Sequence, residues 1–454
     1  MNASTRAALA AGAVALAAAA CAPGSSAPPA APSSALSAPS SGPAAVRTDA
    51  AALGKVTLTV WDQEVRGAQN AQMTALNTAF QAKYPNITIK RVSRSFDDLN
   101  TTLRLALSGN EPPDVVQANN GRPQMGAFVK AGQLRPLDAY ADAYGWKKRY
   151  PQSVLQYVSY TPDGKDFGQG SVYGMPQAGE VVGLLYNRTK LTKLGLQPPT
   201  TWADFQAALE KAKQAGEQPL MLGNLDKWPA VHVFGTVQGQ FVPKDQIATL
   251  GFGRKGATWS TPENTKAAQQ LVDWMDKGYL NKDVNGLGYD ASWQAFGKGK
   301  GVFYIGGSWL IGELGKSMGK DLGFSLPPGT PAATGGTGLP FAVTAKSPNP
   351  DAAAAYLDFI TNADAMKVLT QNGLLPVADT DRQTVEEGPT KDMFTAFAAI
   401  TKQDGLLPYL DYATPTFADT LGAALQDLMA KKATPEEFLA TLEKDYKKFV
   451  DSNG

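Results

Sequence analysis

Cysteine occurs once in this sequence, at Cys21, and histidine once, at His232. A structural disulfide needs two cysteines, so none closes within the chain. Cysteine-bearing zinc sites and multi-histidine metal sites are excluded on the same count. A carboxylate calcium site stays open, although no dense Asp/Asn/Gly loop marks one. Net charge is scarce too: 42 Lys+Arg oppose 41 Asp+Glu. That balance gives no electrostatic case for nucleic acid or an anionic surface as a partner. No apolar run after the N-terminus reaches the roughly 20 residues of a membrane helix. Repeats of a fixed period of about 20–50 residues are absent, which argues against a solenoid. Gly335-Gly336-Thr337-Gly338 is followed neither by a helix pattern nor by Lys-Ser/Thr, which argues against a phosphate loop. No metal and no cofactor are expected.

Apolar residues do concentrate at the start. Arg6 precedes an uncharged run, Ala7 to Ala20, that is too short to span a bilayer and ends in small residues. Residues 1–20 therefore read as a secretory signal. The run stops at Cys21, whose position resembles the lipid-modified cysteine of bacterial lipoproteins. Ala18 stands where that pattern prefers Leu, with Leu16 further back. Ordinary cleavage among the alanines, leaving a soluble secreted protein, is the alternative. Residues 21–54 are then the lipidated cysteine and a tether. Ala, Pro, Ser and Gly dominate from Ala22 to Ala52, so little burial is available to offset the entropy of ordering.

The remaining body, about 400 residues, is too long for one simple core and suggests two domains. Val56–Trp61 alternates as a strand. A helix follows through Met73, Leu76, Phe80 and Tyr84, stopped by Pro85, then a strand at Ile87–Val92. Asp97 opens a helix through Leu99, Leu103 and Leu107, and Asp114–Gln117 is a short strand. This β-α-β-α-β order implies a parallel sheet flanked by helices, an α/β fold. The alternation resumes with strands at Val181–Tyr186, Pro219–Leu222 and Val302–Ile305. Helices start at Thr201, Thr261, Asn349 and Thr434, the first with a capping-box arrangement.

In α/β sheets ligands bind beyond the carboxyl ends of strands. The segments there hold Asp62, Gln63, Glu64 and Arg66; Asn119, Asn120 and Gly121; Asp226 and Trp228; and Trp309. Glu180 leads into the Val181 strand. Planar amides, carboxylates and arginine serve hydroxyl groups, and indoles pack on the C–H faces of a pyranose. Mixed charge suits a neutral polar ligand better than an anion. Several residues also have bland roles. Trp61 ends a strand and reads equally as core, and Trp202 and Trp274 sit on apolar helix faces. Arg66 and Asp62 could form a surface ion pair of little energetic weight. Asn119-Asn120-Gly121 is a turn sequence whatever the function. His232 has no assignable catalytic partner and reads as structural.

The segment Pro176 to Lys193 resembles the signature of the family 1 extracellular solute-binding proteins, the maltose-binding type. Leu184, Leu185, Tyr186, Asn187, Leu191 and Lys193 carry it, and Gln177 departs from an apolar preference. Pro112–Val116, Lys130–Leu134, Lys298–Gly301, Gly307–Trp309 and Asn349–Ala353 are also typical of the family. The resemblance covers about Val56 to Val450. It implies a two-lobed periplasmic-binding-protein fold of type II, with crossings near Pro176, Gly338–Pro340 and Leu375–Pro376. The lobes would be 55–176 plus 340–375 and 177–339 plus 376–454. It also implies sugar contacts from Asp62 to Arg66, from Asn119 to Gly121, from Glu180 and Trp309, and from an aromatic in Tyr409–Phe417, with Phe417 chosen. The implied role is delivery of an oligosaccharide to the permease of an ABC importer. The carrier would be a monomer on the outer face of the cell membrane, held there through its lipid alone. A secreted glycoside hydrolase and a receptor for a non-sugar solute are the alternatives; hydrolysis needs two carboxylates at a defined separation.

Overall fold

The computed structural model describes residues 46–330 and 332–453. The signal segment, Cys21 and most of the expected tether lie outside the described residues. The last part of that expected tether belongs to the folded body instead. Asp49 caps a short 3₁₀ turn, Ala50–Leu53, and Ala50 is buried. The Asn86 amide donates to the carbonyls of Ala50 and Gly54, and Arg47 pairs with Asp351. Local hydrogen bonds, the buried Ala50 and the packing of Val46 and Leu53 on the core order a segment whose composition alone reads as linker.

Among the described residues, twelve strands run in chain order as β1 (Val56–Asp62), β2 (Ile87–Ser93), β3 (Val115–Gln117), β4 (Ser159–Tyr160), β5 (Ser171–Val172), β6 (Gly179–Asn187), β7 (Leu220–Met221), β8 (Phe303–Gly307), β9 (Leu322–Ser325), β10 (Ala333–Thr337), β11 (Phe341–Val343) and β12 (Leu406–Leu407). The first sheet has the order β11-β3-β1-β2. Here β1 is parallel to β2 and β3, as the strand–helix alternation requires, and β11 closes the edge antiparallel. The helix Gly67–Lys83 covers it with Met73, Leu76 and Phe80, against Tyr356 of the Pro350–Ile360 helix.

The second sheet corrects the expectation of parallel strands. Its central strand, β6, is antiparallel to β8 on one side and to β10 and β9 on the other. Only β7 with β8 and β10 with β12 are parallel. The nearly unbroken apolar run of β6 reflects burial on both faces, a property that central strands of either sheet type share. Capping boxes at Thr201 and Thr434 start the helices Trp202–Gln214 and Pro435–Ser452. Trp274 is fully buried beside Trp202, both in the core.

Three segments between the sheets lie side by side. Met175 and Phe341 exchange both backbone hydrogen bonds, Gly338 donates to Ala178, Gly179 to Leu375, and Val377 to Gln177. Gln177, the departure from the family pattern, is buried with its amide donating to the Ile360 carbonyl and accepting from Gln72. A polar side chain is tolerated there because both ends are paired. Among the described residues, no helix is long and apolar enough to cross a membrane. Nor does any group of three or more His, Cys, Asp or Glu residues there have a metal-holding arrangement.

Candidate ligand-binding site

The carboxyl ends of β1 and β3 face loops of the second sheet across a cleft. From the first sheet's side come Gln63, Arg66, Gln69, Phe96 and Asn119. The opposite side supplies Glu180, Trp228, His232, Trp309, Tyr409 and Asp411. The empty space between them is about 640 Å³, counting its opening to solvent.

The wall on the second side is aromatic. His232 sits among Trp228, Trp309 and Tyr409, with ring centroids 5.5, 5.4 and 5.2 Å away. Trp228 packs on Tyr289 at 4.3 Å, and the Trp309 indole donates to the Tyr289 hydroxyl at 2.6 Å. A side-chain carbon on Gly307 would collide with the Trp309 ring, so that glycine gives the indole its place. The Pro229–Gln238 helix, with Pro at its first turn, fixes Trp228 and His232 together.

The polar groups are mostly acids and amides. Glu64 accepts from the amides of Gln63 and Gln117. Burial, reinforced by Glu64, pushes the Glu180 carboxyl up to about 8, against the pull of Tyr409 and Arg66. Burial also raises Asp411 to about 6. Asp97, next in sequence to Phe96, rises to about 6 by burial and the nearby Asp226 and Asp290. Burial alone pushes His232 down to about 3, so the imidazole is neutral. Arg66 Nε, Gln69 Oε1, Trp228 Nε1 and His232 Nδ1 are buried with no hydrogen-bond partner among the described residues. Four of the fourteen such atoms among the described residues belong to residues of this cleft.

Of the residues singled out from sequence, Gln63, Arg66, Asn119, Glu180, Trp228 and Trp309 line this cleft, and Glu64 lines its continuation toward Gln72 and Gln177. Others do not reach it. Asp62 is fully buried and pairs with Arg91 at 2.6 Å rather than with Arg66, because parallel β2 brings Arg91 alongside; Arg66 pairs with Asp290. Asn120 is buried and donates to Thr337. Gly121, at φ +84°, lies against Tyr412 and donates to the Tyr160 hydroxyl. Asp226 accepts from the Tyr289 amide and so holds the aromatic wall from behind. Phe417 is core: it stacks on Trp259 at 5.2 Å, turned inward by the helix it begins. Tyr409 and Asp411, from the same region, do line the cleft. His232, read from sequence as structural, stands in this wall. Its signal was its place four residues after Trp228, one helical turn away.

Across the cleft the two sides also touch directly. Phe96 meets Trp228 at 5.7 Å, the Ala68 amide donates to Glu313 at 2.5 Å, and the Arg122 guanidinium donates to the carbonyls of Phe252 and Ala413. Two α/β lobes around an aromatic, acid-lined cleft define a periplasmic-type binding protein. The chain belongs to the bacterial extracellular solute-binding proteins, whose family pattern matches residues 65–367. Among its relatives, the multiple sugar-binding protein of Streptococcus mutans is 24% identical over 328 residues, covering 69% of this chain and 73% of that one. The melibiose/raffinose/stachyose-binding protein of Bacillus subtilis is 22% identical over 440 residues, covering 89% and 92%. A chitin oligosaccharide binding protein of known structure shares the fold with a TM-score of 0.76 at 21% identity, over 87% of this chain and 99% of that one.

Proposed function

We propose that this chain is the substrate-binding component of an ABC-type carbohydrate importer. It captures a neutral oligosaccharide between its lobes and delivers it to a membrane permease. The observation that carries this is the aromatic wall of Trp228, His232, Trp309 and Tyr409 facing Gln63, Arg66 and Asn119, with Glu180 beside it. Indoles suit sugar C–H faces, and amides, arginine and carboxyl groups suit hydroxyls. Relatives named for sugars support the ligand class. Membership in a solute-binding family supports capture without a reaction.

The lobes are 55–176 plus 340–375 and 177–339 plus 376–454. The three adjoining segments at Met175–Gly179, Gly338–Phe341 and Leu375–Val377 form the hinge. Ligand contacts then hold the lobes closed, and the closed pair is what the permease reads. Cys21 carries a lipid, and a monomer works from the outer face of the membrane.

The test is thermal denaturation of the exported body with maltotriose, raffinose, chitotriose, xylotriose and D-galactose in turn. A bound sugar at one hundred times its Kd adds about 2.7 kcal/mol to stability, read as a raised Tm. No shift with any saccharide, or release of reducing ends, overturns the assignment. Mass spectrometry of membrane-associated protein tests the lipid on Cys21.

A further inference from the structure

His232 is the only histidine in the chain, and it stands at the middle of the cleft's aromatic wall. Phenylalanine or leucine would fill that volume without desolvating the buried Nδ1. An unpaired buried polar group weakens a fold appreciably, so an imidazole there needs a partner. The protein supplies none to Nδ1 among the described residues. The surrounding rings stand edge-on to it, and the Glu180 carboxyl in the same cleft takes its hydrogen bond from Tyr409. A neutral imidazole has one donor and one acceptor, the same pair a hydroxyl offers.

Resting on the carbohydrate assignment above, we propose that His232 is a specificity-determining residue of this cleft. A hydroxyl of the bound sugar completes the imidazole's missing hydrogen bond, while Trp228 and Trp309 flank the sugar ring. Burial holds the imidazole uncharged down to about pH 3, so this contact is insensitive to pH across the neutral range.

A single histidine gives one pair of imidazole ¹⁵N resonances, so the contact can be read directly in the exported body. The probes are the five saccharides named above. The expected result is that at least one binds and its saturation shifts an imidazole ¹⁵N resonance. His232→Phe, which keeps the ring and removes both nitrogens, should then weaken that sugar roughly tenfold or more while leaving the unliganded Tm unchanged or higher. A sugar that binds without moving the resonances, or that binds His232→Phe as tightly as the native chain, overturns the role of His232 and leaves the carbohydrate assignment standing. No saccharide binding the native chain overturns both. Should His232→Phe fail to fold, the resonances of the native chain decide.

Discussion

Arg66 and Asp290 meet across the cleft, guanidinium to carboxylate at 2.9 Å, although they belong to lobes whose sheets share no strand. Burial pushes the Asp290 carboxyl up, but the Arg66 charge and hydrogen bonds from Trp293 and Arg66 outweigh it and hold it below the ordinary carboxylate range. Asp290 is more than half exposed, so solvent screens the interaction. Asp290→Asn should therefore cost about 0.2–1 kcal/mol of closure, a loss of sugar affinity of no more than about fivefold. Arg66→Ala removes the unpaired Nε as well and should cost tenfold or so. Calorimetric titration of both variants with the sugar that binds best checks the order.

Gly121 from the first lobe lies against Tyr412 from the second. A side-chain carbon on Gly121 would come within 2.6 Å of the Tyr412 ring. Gly121→Ala should wedge the lobes apart and also strain a backbone at φ +84°. We expect a lower affinity for sugar, a larger radius of gyration by small-angle scattering, and about 1–3 kcal/mol lost in stability.

Glu180 gives a pH dependence with a definite sign. Its carboxyl holds a proton up to about 8, against an ordinary value of 4.5. Between those values the folded chain binds more protons than the unfolded one, so its contribution is most favourable below pH 4.5 and is lost as pH rises through 8. Each pH unit in that window costs up to about 1.4 kcal/mol. Glu180→Gln should flatten the fall of Tm between pH 5 and 8 while weakening sugar binding. A Tm profile parallel to that of the native chain would refute the assignment of the slope to this residue.

Trp309 separates the site from the core. Its ring is partly exposed in the cleft and its indole nitrogen is held by Tyr289. Trp309→Ala should weaken sugar binding by roughly tenfold or more with the fold retained by circular dichroism. Trp309→Phe should recover part of the loss.

Phe417 should behave in the opposite way. It is fully buried against Trp259 and Tyr446. Phe417→Ala should cost about 3–5 kcal/mol of stability and leave the affinity of the remaining folded protein within about twofold. Parallel urea titrations and binding curves distinguish the two tryptophan-side and core-side outcomes.

The site was partly legible because glycine and proline mark the loops after strands. Trp228 and Trp309, large rings in such loops, line the cleft, whereas Trp274 on an apolar helix face is core. The same logic misplaced Asp62. The strand expected to stop at Trp61 runs on to Asp62, and parallel pairing sets Arg91 beside it and closes it off from the cleft. Phe417 was misplaced because Tyr409 to Phe417 changes direction through a 3₁₀ turn, Leu410–Tyr412, that leaves Tyr409, Asp411 and Tyr412 facing the cleft and sends Phe417 inward. His232 was passed over because its one local cue, standing four residues after Trp228, was not weighed.

The sequence by itself determined six of the twelve strands described, the helix starts at Thr201 and Thr434, and the family. Those depend on periodicity, capping and short motifs, which act between residues a few positions apart. Only the tertiary structure decided that the second sheet is largely antiparallel, that Arg66 reaches Asp290, and that Glu180 stays protonated while His232 stays neutral. Strand direction follows from which distant segment pairs with β6. Ionisation follows from how much water the opposing lobe removes, and neither quantity is written in any one stretch of the chain.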